Sequence, residues 1–340
     1  MVSLRSFKIN NMKINKQKEE IFYSKPFSFS YSSLNRLIFS PSLFYKDYIL
    51  KDREIKTDKH LIEGKLVHCL VFQPKELYEL FSLVPGKVPS ENIKKTLKNI
   101  LLHTDAVKLP QVEDFIILDS LKELNLYQSL KEDKSRIAKV RTSDHENYFE
   151  FLQSTGKDII DNDTLQKCKD KADIIKNNDK VMELFNQGVT DFELDTLEVF
   201  AEKLLECKLQ NYDFGLKGIV DYYTIDHDKK ELHIIDLKTT SRTLSDFTES
   251  IDFYNYWLQA AIYTTLVLNN HSKTKSENYK ILFTFVVIDN YNQVYPFSVS
   301  DNTMDAWAKG MSGILDRASF HYKENNYSLP YEFLNNNVKL

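Results

Sequence analysis

The chain has 340 residues, which is enough for one large domain or two ordinary ones. Its 42% hydrophobic and 13% aromatic content is typical of a globular protein and excludes a disordered chain. The formal net charge of −4 argues against a protein whose whole surface binds nucleic acid.

The N-terminal part of the chain is basic and mostly helical by pattern. Residues 1–26 read as a polar tail or an added sheet edge, and they lack the apolar core of a secretory signal. Ser30–Leu50 predicts two short helices, with Ser30 or Ser32 as the N-cap of the first and Pro41 opening the second. Asp58–Phe72 predicts a third helix.

Residues 1–100 carry 18 Lys and Arg against 10 Asp and Glu, so this part of the chain is basic. The excess of positive charge is compatible with a local DNA-facing surface or with an ordinary solvated face.

The middle of the chain changes from a helical to a strand pattern. Residues 85–190 are mostly helical by periodicity, and the remainder alternates strands with two helices. The predicted elements are strands Leu194–Leu205, Gly218–Ile225 and Leu232–Lys238, helix Phe253–Leu268, strands Lys280–Ile288 and Gln293–Ser298, and helix Asn302–Tyr322. We therefore expect an α/β core with a helical insertion.

The cysteines and the apolar runs limit the class of protein. Cys69, Cys168 and Cys207 are widely spaced and odd in number, which indicates a reducing compartment without a disulfide framework. Three cysteines are too few for a four-cysteine iron–sulfur cluster. The longest apolar strand-like run, Ile281–Ile288, is too short to cross a bilayer.

The segment Gly218–Thr240 predicts a hairpin that carries acidic residues. If its turn centres on Asp228 and Lys229, Asp221 on the first strand lies directly opposite Asp236 on the second. Lys238 shares that face because side chains alternate along a strand. Two carboxylates and one ammonium thus converge, and a divalent cation would relieve the repulsion between the carboxylates.

A plain surface ion pair between Asp236 and Lys238 is the alternative interpretation, and it would contribute little to stability. Asp236, however, lies in an apolar strand, Leu232–Leu237, that is expected to be buried. Burying a carboxylate there is costly unless it binds something, so we favour a metal site.

Three further features accompany the hairpin. Gln259 and Tyr263 are four residues apart on a predicted helix and share one of its faces, as the polar rim of an ordinary core helix also would. Gly64 precedes His68 by one helical turn, although a lone helical histidine is more often structural than a ligand. Glu202 is a third carboxylate, on the strand before the hairpin.

In chain order, these residues resemble the motifs of the PD-(D/E)XK nuclease superfamily. The motifs are GxxxH (Gly64–His68), Glu202, Asp221, DxK (Asp236–Lys238) and QxxxY (Gln259–Tyr263). They are similar to the exodeoxyribonuclease VIII-like (RecE-type) branch and its viral relatives, as are Tyr31–Leu34, Ser40-Pro41 and the helical stretch before the strands. The resemblance covers roughly residues 28–325. Val220 replaces a proline and Asp236 replaces a glutamate, but either carboxylate serves a hard cation.

The resemblance implies a fold and its organisation. The fold is an α/β nuclease core, a mixed central sheet flanked by helices, with a large helical insertion. The implied divisions are an N-terminal tail (1–26), the nuclease core (27–84 and 191–325), the helical insertion (85–190) and a C-terminal tail (326–340).

The resemblance also implies a mechanism. Asp221, Asp236, the Leu237 carbonyl and His68 would hold Mg²⁺ or Mn²⁺, with Glu202 as an extra carboxylate. Asp221, Asp236 and Lys238 would be catalytic, with Lys238 orienting or helping to deprotonate a water. The residues expected to position DNA are Gln259, Tyr263, Thr239, Thr240 and Ser33.

The expected activity is degradation of linear duplex DNA from its ends, in recombination or repair. The implied setting is the cytoplasm of a bacterium or of a phage-infected host, and the implied partners are a single-strand annealing protein and further copies of the chain. The alternatives are an endonuclease or a helicase-associated repair nuclease of the same fold, or a non-catalytic DNA-binding or recruitment protein. The Asp221, Asp236 and Lys238 set argues against a non-catalytic protein, because a binding module has no use for it.

Overall fold

A computed structural model describes residues 18, 20–53, 58–154, 156–185, 196–335 and 338. These residues form two compact units, the first from residues before 58 and after 172, and the second from residues 58–172. The second unit begins at residue 58, before the start of the predicted insertion (85–190), and ends at residue 172, before the end of that insertion. Among the described residues, no helix is long and apolar enough to cross a membrane.

From Leu197 onward, the strands follow the predicted order, whereas three short strands before it were not predicted. The strands are β1 Ser28–Phe29, β2 Phe81–Leu83, β3 Asp158–Ile160, β4 Leu197–Lys208, β5 Gly215–Asp226, β6 Glu231–Thr239, β7 Lys280–Ile288 and β8 Val294–Val299. The helices are α1 Tyr31–Phe39, α2 Pro41–Phe44, α3 Lys59–Phe72, α4 Leu77–Leu80, α5 Glu91–Leu101, α6 Asp114–Glu123, α7 Asp133–Val140, α8 Ser143–Leu152, α9 Asn162–Lys176, α10 Asp179–Leu184, α11 Phe247–Phe253, α12 Tyr256–Asn270, α13 Ser272–Ser276, α14 Asp301–Glu324 and α15 Tyr331–Leu334.

The first unit contains a six-stranded mixed sheet in the order β1-β5-β6-β7-β8, with β4 also paired to β5. β1 runs parallel to β5 and β6 runs parallel to β7, whereas the β4–β5, β5–β6 and β7–β8 pairs are antiparallel. The parallel β6–β7 pair needs a crossover, which α11, α12 and α13 supply. The predicted fold class, a mixed sheet flanked by helices, is confirmed.

The hairpin of β5 and β6 has the predicted register. Its pairs run from Asp226↔Glu231 at the turn to Tyr222↔Ile235, and the next step along the strands places Asp221 opposite Asp236. The turn is stabilised by Asp226, whose carboxylate accepts hydrogen bonds from the backbone amides that follow it. An error of one residue in this register would turn every β6 side chain to the other face, so the turn determines where the acidic residues point.

The register of β4 on β5 brings in a third acidic residue. The pairs run from Leu197↔Asp226 to Lys208↔Gly215 without a change of offset, so Glu202 faces Asp221. Residues 194 and 195, where this strand was expected to begin, lie outside the described residues.

Helices α1, α12 and α14 bury their apolar faces in the core of the first unit. Leu34 of α1, Ile262 of α12 and Ala318 of α14 are all fully buried in this core. Parts of the predicted tails join the same core, since Phe22 and Tyr327 are also buried in it. The hydroxyl groups of Tyr23 and Tyr327 lie 2.7 Å apart, which links these two terminal segments.

The second unit has its own apolar core, formed by α5 to α8. Ile93, Leu97 and Ile100 of α5 are buried, as their helical spacing predicts. This unit also contains a two-stranded parallel sheet, β2 with β3, which the sequence reading did not predict. Strands of three residues are too short to show an alternating pattern.

The predicted helix Phe253–Leu268 corresponds to α12, which runs from Tyr256 to Asn270, and a separate helix, α11, ends at Phe253. Asn255 has a left-handed backbone conformation, with φ of 57°, and separates them. Asparagine tolerates this conformation better than most side chains, which is why the break occurs there.

Candidate active site

Three carboxylates lie side by side on three adjacent strands of the sheet. Glu202 on β4 faces Asp221 on β5, and Asp221 is followed across the sheet by Asp236 on β6. A carboxylate oxygen of Glu202 lies within 4.8 Å of one of Asp221. Residues directly opposite on neighbouring strands share a face, so the hairpin and β4 concentrate negative charge at one place.

Glu202 has an unusual backbone for a strand residue. Its φ is 47°, in the left-handed region that non-glycine residues seldom adopt. Such a conformation costs about 1–3 kcal/mol and persists only where the surrounding structure imposes it. The strain falls on the one β4 residue that faces Asp221.

Asp221 and Asp236 are both buried but are held differently. Asp221 is 6% exposed, and its Oδ2 accepts a hydrogen bond of 2.8 Å from the amide of Leu237. Asp236 is fully buried, and its Oδ2 forms an ion pair with the Lys238 ammonium. Asp236 and Lys238 are thus not a plain surface ion pair, because the Asp236 side chain is fully buried and only 13% of the Lys238 side chain is exposed.

Lys238 is held on three sides. Besides Asp236, its Nζ donates a hydrogen bond of 2.9 Å to Oε1 of Gln259 and lies 4.7 Å from the centroid of the Tyr256 ring. Burial alone would lower the pKa of Lys238, but the negative charges of Asp236 and Asp221 outweigh burial and raise this pKa. Lys238 is therefore an ammonium at neutral pH.

Gln259 and Tyr263 continue the network on α12. The Nε2 of Gln259 donates a hydrogen bond of 2.8 Å to the Tyr263 hydroxyl, and each residue is 8% exposed. Burial, followed by the charges of Asp221 and Asp236, raises the pKa of Tyr263 well above its usual range. A Cβ at Gly218 would lie 3.1 Å from the Tyr263 ring, so this glycine permits the close packing of the ring on β5. The shared face predicted for Gln259 and Tyr263 thus points at Lys238.

The other predicted residues lie in different surroundings. Thr239 and Thr240 are half-buried at the end of β6, where the Thr240 amide donates to the carbonyl of Ile288. His68 lies on α3 in the second unit and is half-buried. Its role as a metal ligand stays a prediction.

Ser33 is a predicted DNA-positioning residue, but the structure places it in a helix cap. It is 1% exposed, its hydroxyl accepts a hydrogen bond from the Ser30 amide, and it forms a capping box with Ser30 at the start of α1. These local hydrogen bonds occupy the hydroxyl. Ser33 thus stabilises the start of α1, and its role in positioning DNA stays a prediction.

Tyr256 is a site residue that the sequence reading missed. Its ring lies against the Lys238 ammonium, and burial raises its pKa against the opposing effect of Lys238. A signal was present, because Tyr256 and Gln259 are three residues apart and so share a helix face.

The donor atoms suit a hard divalent cation. Glu202, Asp221 and Asp236 supply only carboxylate oxygens, the ligands that Mg²⁺ and Mn²⁺ prefer. Three carboxylates beside one ammonium leave an excess of two negative charges, which one divalent cation would neutralise. The described geometry therefore fits a metal-dependent hydrolytic site.

Comparison with known proteins identifies a family. A family model described as the PD-(D/E)XK nuclease superfamily matches residues 28–326. No curated protein matches the chain. A solved structure from Eubacterium rectale, described as a candidate exonuclease, is 12% identical, with a TM-score of 0.44 over 96% of this chain and 91% of that one. A structure named SSO0001 is 14% identical, with a TM-score of 0.22 over 68% and 88%. Both scores are under 0.5, so the assignment rests on the family model.

Proposed function

The chain belongs to the PD-(D/E)XK nuclease superfamily, and we propose that it is a Mg²⁺- or Mn²⁺-dependent exonuclease that degrades linear duplex DNA from its ends. Its family makes it a hydrolytic nuclease that acts on DNA. The observation that carries the proposal is the convergence of Asp221, Asp236 and Lys238 on one face of the β5–β6 hairpin.

We propose that the metal is held by Asp221, Asp236 and the Leu237 carbonyl, with Glu202 and His68 as further ligands. When bound, a divalent cation lowers the pKa of a water molecule and stabilises the charge that develops on phosphate. The positions of Glu202, Asp221 and Asp236 on adjacent strands support this assignment, because a rigid sheet holds ligands with little reorganisation.

The side chains around the carboxylates would orient the reacting groups. Lys238, an ammonium fixed by Asp236 and Gln259, would orient the attacking water and stabilise negative charge on the phosphate. Tyr263 would act through Gln259, because the Tyr263 hydroxyl accepts a hydrogen bond from the side-chain amide of Gln259. Thr239 and Thr240, which follow Lys238, would contact DNA phosphates.

The order of motifs supports a narrower proposal within the superfamily. From GxxxH to QxxxY, the sequence is similar to the exodeoxyribonuclease VIII-like (RecE-type) branch and its viral relatives. An enzyme of that kind would produce single strands for recombination or repair in a bacterial or phage-infected cytoplasm. A single-strand annealing protein and further copies of the chain are the partners that this proposal includes.

The experiment that tests this function compares two forms of one plasmid. Linearised duplex, labelled at its ends, and covalently closed circles are incubated with the protein, with Mg²⁺ or with EDTA. We expect loss of the linear form from its ends with Mg²⁺, intact circles, and no reaction in EDTA. Cutting of the closed circles at internal sites would instead show an endonuclease, and no cleavage in any lane would overturn the proposed activity.

A further inference from the structure

A groove lined by aromatic and basic side chains lies beside the carboxylates in the first unit. It has a volume of about 720 Å³ and is formed by α1, the segment after α2 and the junction of α11 with α12. Its lining includes Tyr31, Arg36, Phe39, Arg53, Phe253 and Tyr254. We call it the aromatic groove.

The rings of this groove are unusually exposed. Phe39 is 75% exposed, Phe253 is 68% exposed and Tyr254 is 41% exposed. Single exposed apolar residues are ordinary, but a group of rings around one groove is typical of a binding surface. Their flat faces are suited to a ligand that is itself flat.

Cations surround the rings. Arg36 and Arg53 line the groove, and the Arg242 guanidinium lies 5.3 Å from the centroid of the Phe253 ring. Arg36 forms a close ion pair with Asp47, at 2.7 Å. The ion pair between Arg242 and Glu249 is longer, at 3.8 Å. Exposed aromatic faces with arginines between them fit an anionic ligand that carries planar groups.

The groove is continuous with the site that contains Lys238. The Tyr254 and Tyr256 rings stack with centroids 5.4 Å apart, and Lys238 lies over the Tyr256 ring. The Tyr31 hydroxyl donates a hydrogen bond to the Tyr254 carbonyl. A path of rings therefore runs from the active site into the groove.

The junction that presents these rings is held by side-chain hydrogen bonds. The left-handed Asn255 separates Tyr254 from Tyr256, and its Nδ2 donates a hydrogen bond of 2.7 Å to Oδ1 of Asn35 on α1. Trp257 in turn donates to Oδ1 of Asn255. The rings are thus fixed before any ligand arrives, which lowers the entropic cost of binding.

We infer that the aromatic groove binds single-stranded DNA next to the active site. Unpaired bases offer faces that stack on aromatic side chains, while phosphates pair with arginines, and a duplex keeps its base faces covered. This inference rests on the proposed function, since it makes the groove the path of one strand of the substrate.

The test measures binding without cleavage. The full chain is titrated with fluorescein-labelled oligo-dT in EDTA, and fluorescence anisotropy is recorded for the wild type and for Phe39→Ala, Phe253→Ala and Arg53→Gln. Tyr291→Ala is the matched control, because Tyr291 is 70% exposed on the turn between β7 and β8 and does not line the groove. A blunt duplex of equal length is titrated in parallel, and circular dichroism checks the fold of each variant.

We expect Phe39→Ala and Phe253→Ala each to weaken oligo-dT binding about 5- to 100-fold, the loss of one stacked base, with little change for the duplex. Arg53→Gln should reduce the salt dependence of binding, and Tyr291→Ala should bind like the wild type.

Three results would overturn the inference: a wild type that does not bind oligo-dT, groove variants that bind like Tyr291→Ala, or an equal loss for the duplex. Because no cleavage occurs in EDTA, this outcome is separate from that of the plasmid assay. If the protein shows the expected binding pattern but cleaves no DNA, the proposed function is overturned, while the groove remains assigned to the binding of single-stranded DNA.

Discussion

The amide of Leu237 donates a hydrogen bond of 2.8 Å to Oδ2 of Asp221 on the neighbouring strand. This bond lies just beyond Tyr222↔Ile235, the last registered pair of the hairpin, so a carboxylate takes the place of a backbone acceptor there. It orients Asp221 beside Asp236. The acidic residues are therefore held by the sheet, a rigid element that suits a catalytic site.

Replacing Lys238 by methionine should destabilise the protein in the absence of metal. The substitution leaves the fully buried Asp236 carboxylate without its ammonium counter-charge, which typically costs about 3–5 kcal/mol. Mn²⁺ should restore much of this stability, because the cation supplies positive charge to the same carboxylate, while cleavage stays lost. Urea denaturation with and without Mn²⁺ measures the effect.

The control for this experiment is Lys203→Met, which changes an exposed lysine of β4. Unchanged stability of Lys238→Met without metal would contradict the ion-pair account.

Replacing Tyr263 by phenylalanine should lower kcat about fivefold and leave KM and the affinity for Mn²⁺ nearly unchanged. The change removes the acceptor of the Gln259 amide, and Gln259 is the acceptor of the Lys238 ammonium. One hydrogen bond of this kind contributes about 1 kcal/mol. Steady-state cleavage and Mn²⁺ calorimetry measure these quantities. Tyr279→Phe, whose hydroxyl pairs with His227, is the matched control. A raised KM with unchanged kcat would instead indicate that Tyr263 contacts the DNA directly.

Replacing His68 by alanine should reduce cleavage strongly and weaken Mn²⁺ binding by about 10–100-fold, the usual effect of losing a group that supports a metal site. Calorimetry with Mn²⁺ and a cleavage assay measure both. His60→Ala is the control, because His60 is exposed on the same helix, α3. A variant that unfolds but keeps normal activity per folded molecule would show that His68 is structural.

The stability of the protein should fall as the pH falls from about 6.5 to about 4, in part through His233. Burial lowers the pKa of His233 from 6.5 to about 4. The unfolded chain binds this proton more readily within that window, so the free energy of unfolding decreases there, by up to about 3 kcal/mol from this residue. Urea denaturation across this range should show a flatter dependence for His233→Gln, which keeps a hydrogen-bonding group near the Thr284 hydroxyl. His60→Gln serves as the control, and a slope for His233→Gln as steep as for the wild type would contradict the assignment.

The hairpin register could be predicted because one short polar turn determines it. A turn at Asp228 and Lys229 already places Asp221 opposite Asp236, and no distant contact is needed. Strand Lys280–Ile288 was likewise predicted with its observed bounds, since a continuous apolar run followed by a polar turn is a strong local signal. The confirmed parts of the fold are those with local patterns.

The features that were missed depend on contacts between distant segments. Strand β1 has two residues and exists only by pairing with β5. The left-handed conformations of Glu202 and Asn255 have no sequence signal as clear as a glycine. The shared helix face of Tyr256 and Gln259 was a local signal, but the contact of the Tyr256 ring with Lys238 depends on the packing of α12 beside β6.

The central claim is that the carboxylates of the hairpin carry the hydrolysis of DNA. It is tested most directly by comparing Asp236→Asn with Asp226→Asn, the same substitution at the far end of the same hairpin, in cleavage of linear duplex with Mg²⁺. We expect Asp236→Asn to remain folded, although less stable because Lys238 loses its counter-charge, and to cleave no faster than the wild type in EDTA, while Asp226→Asn keeps most of the wild-type rate. Cleavage by a folded Asp236→Asn variant at the wild-type rate would contradict the account.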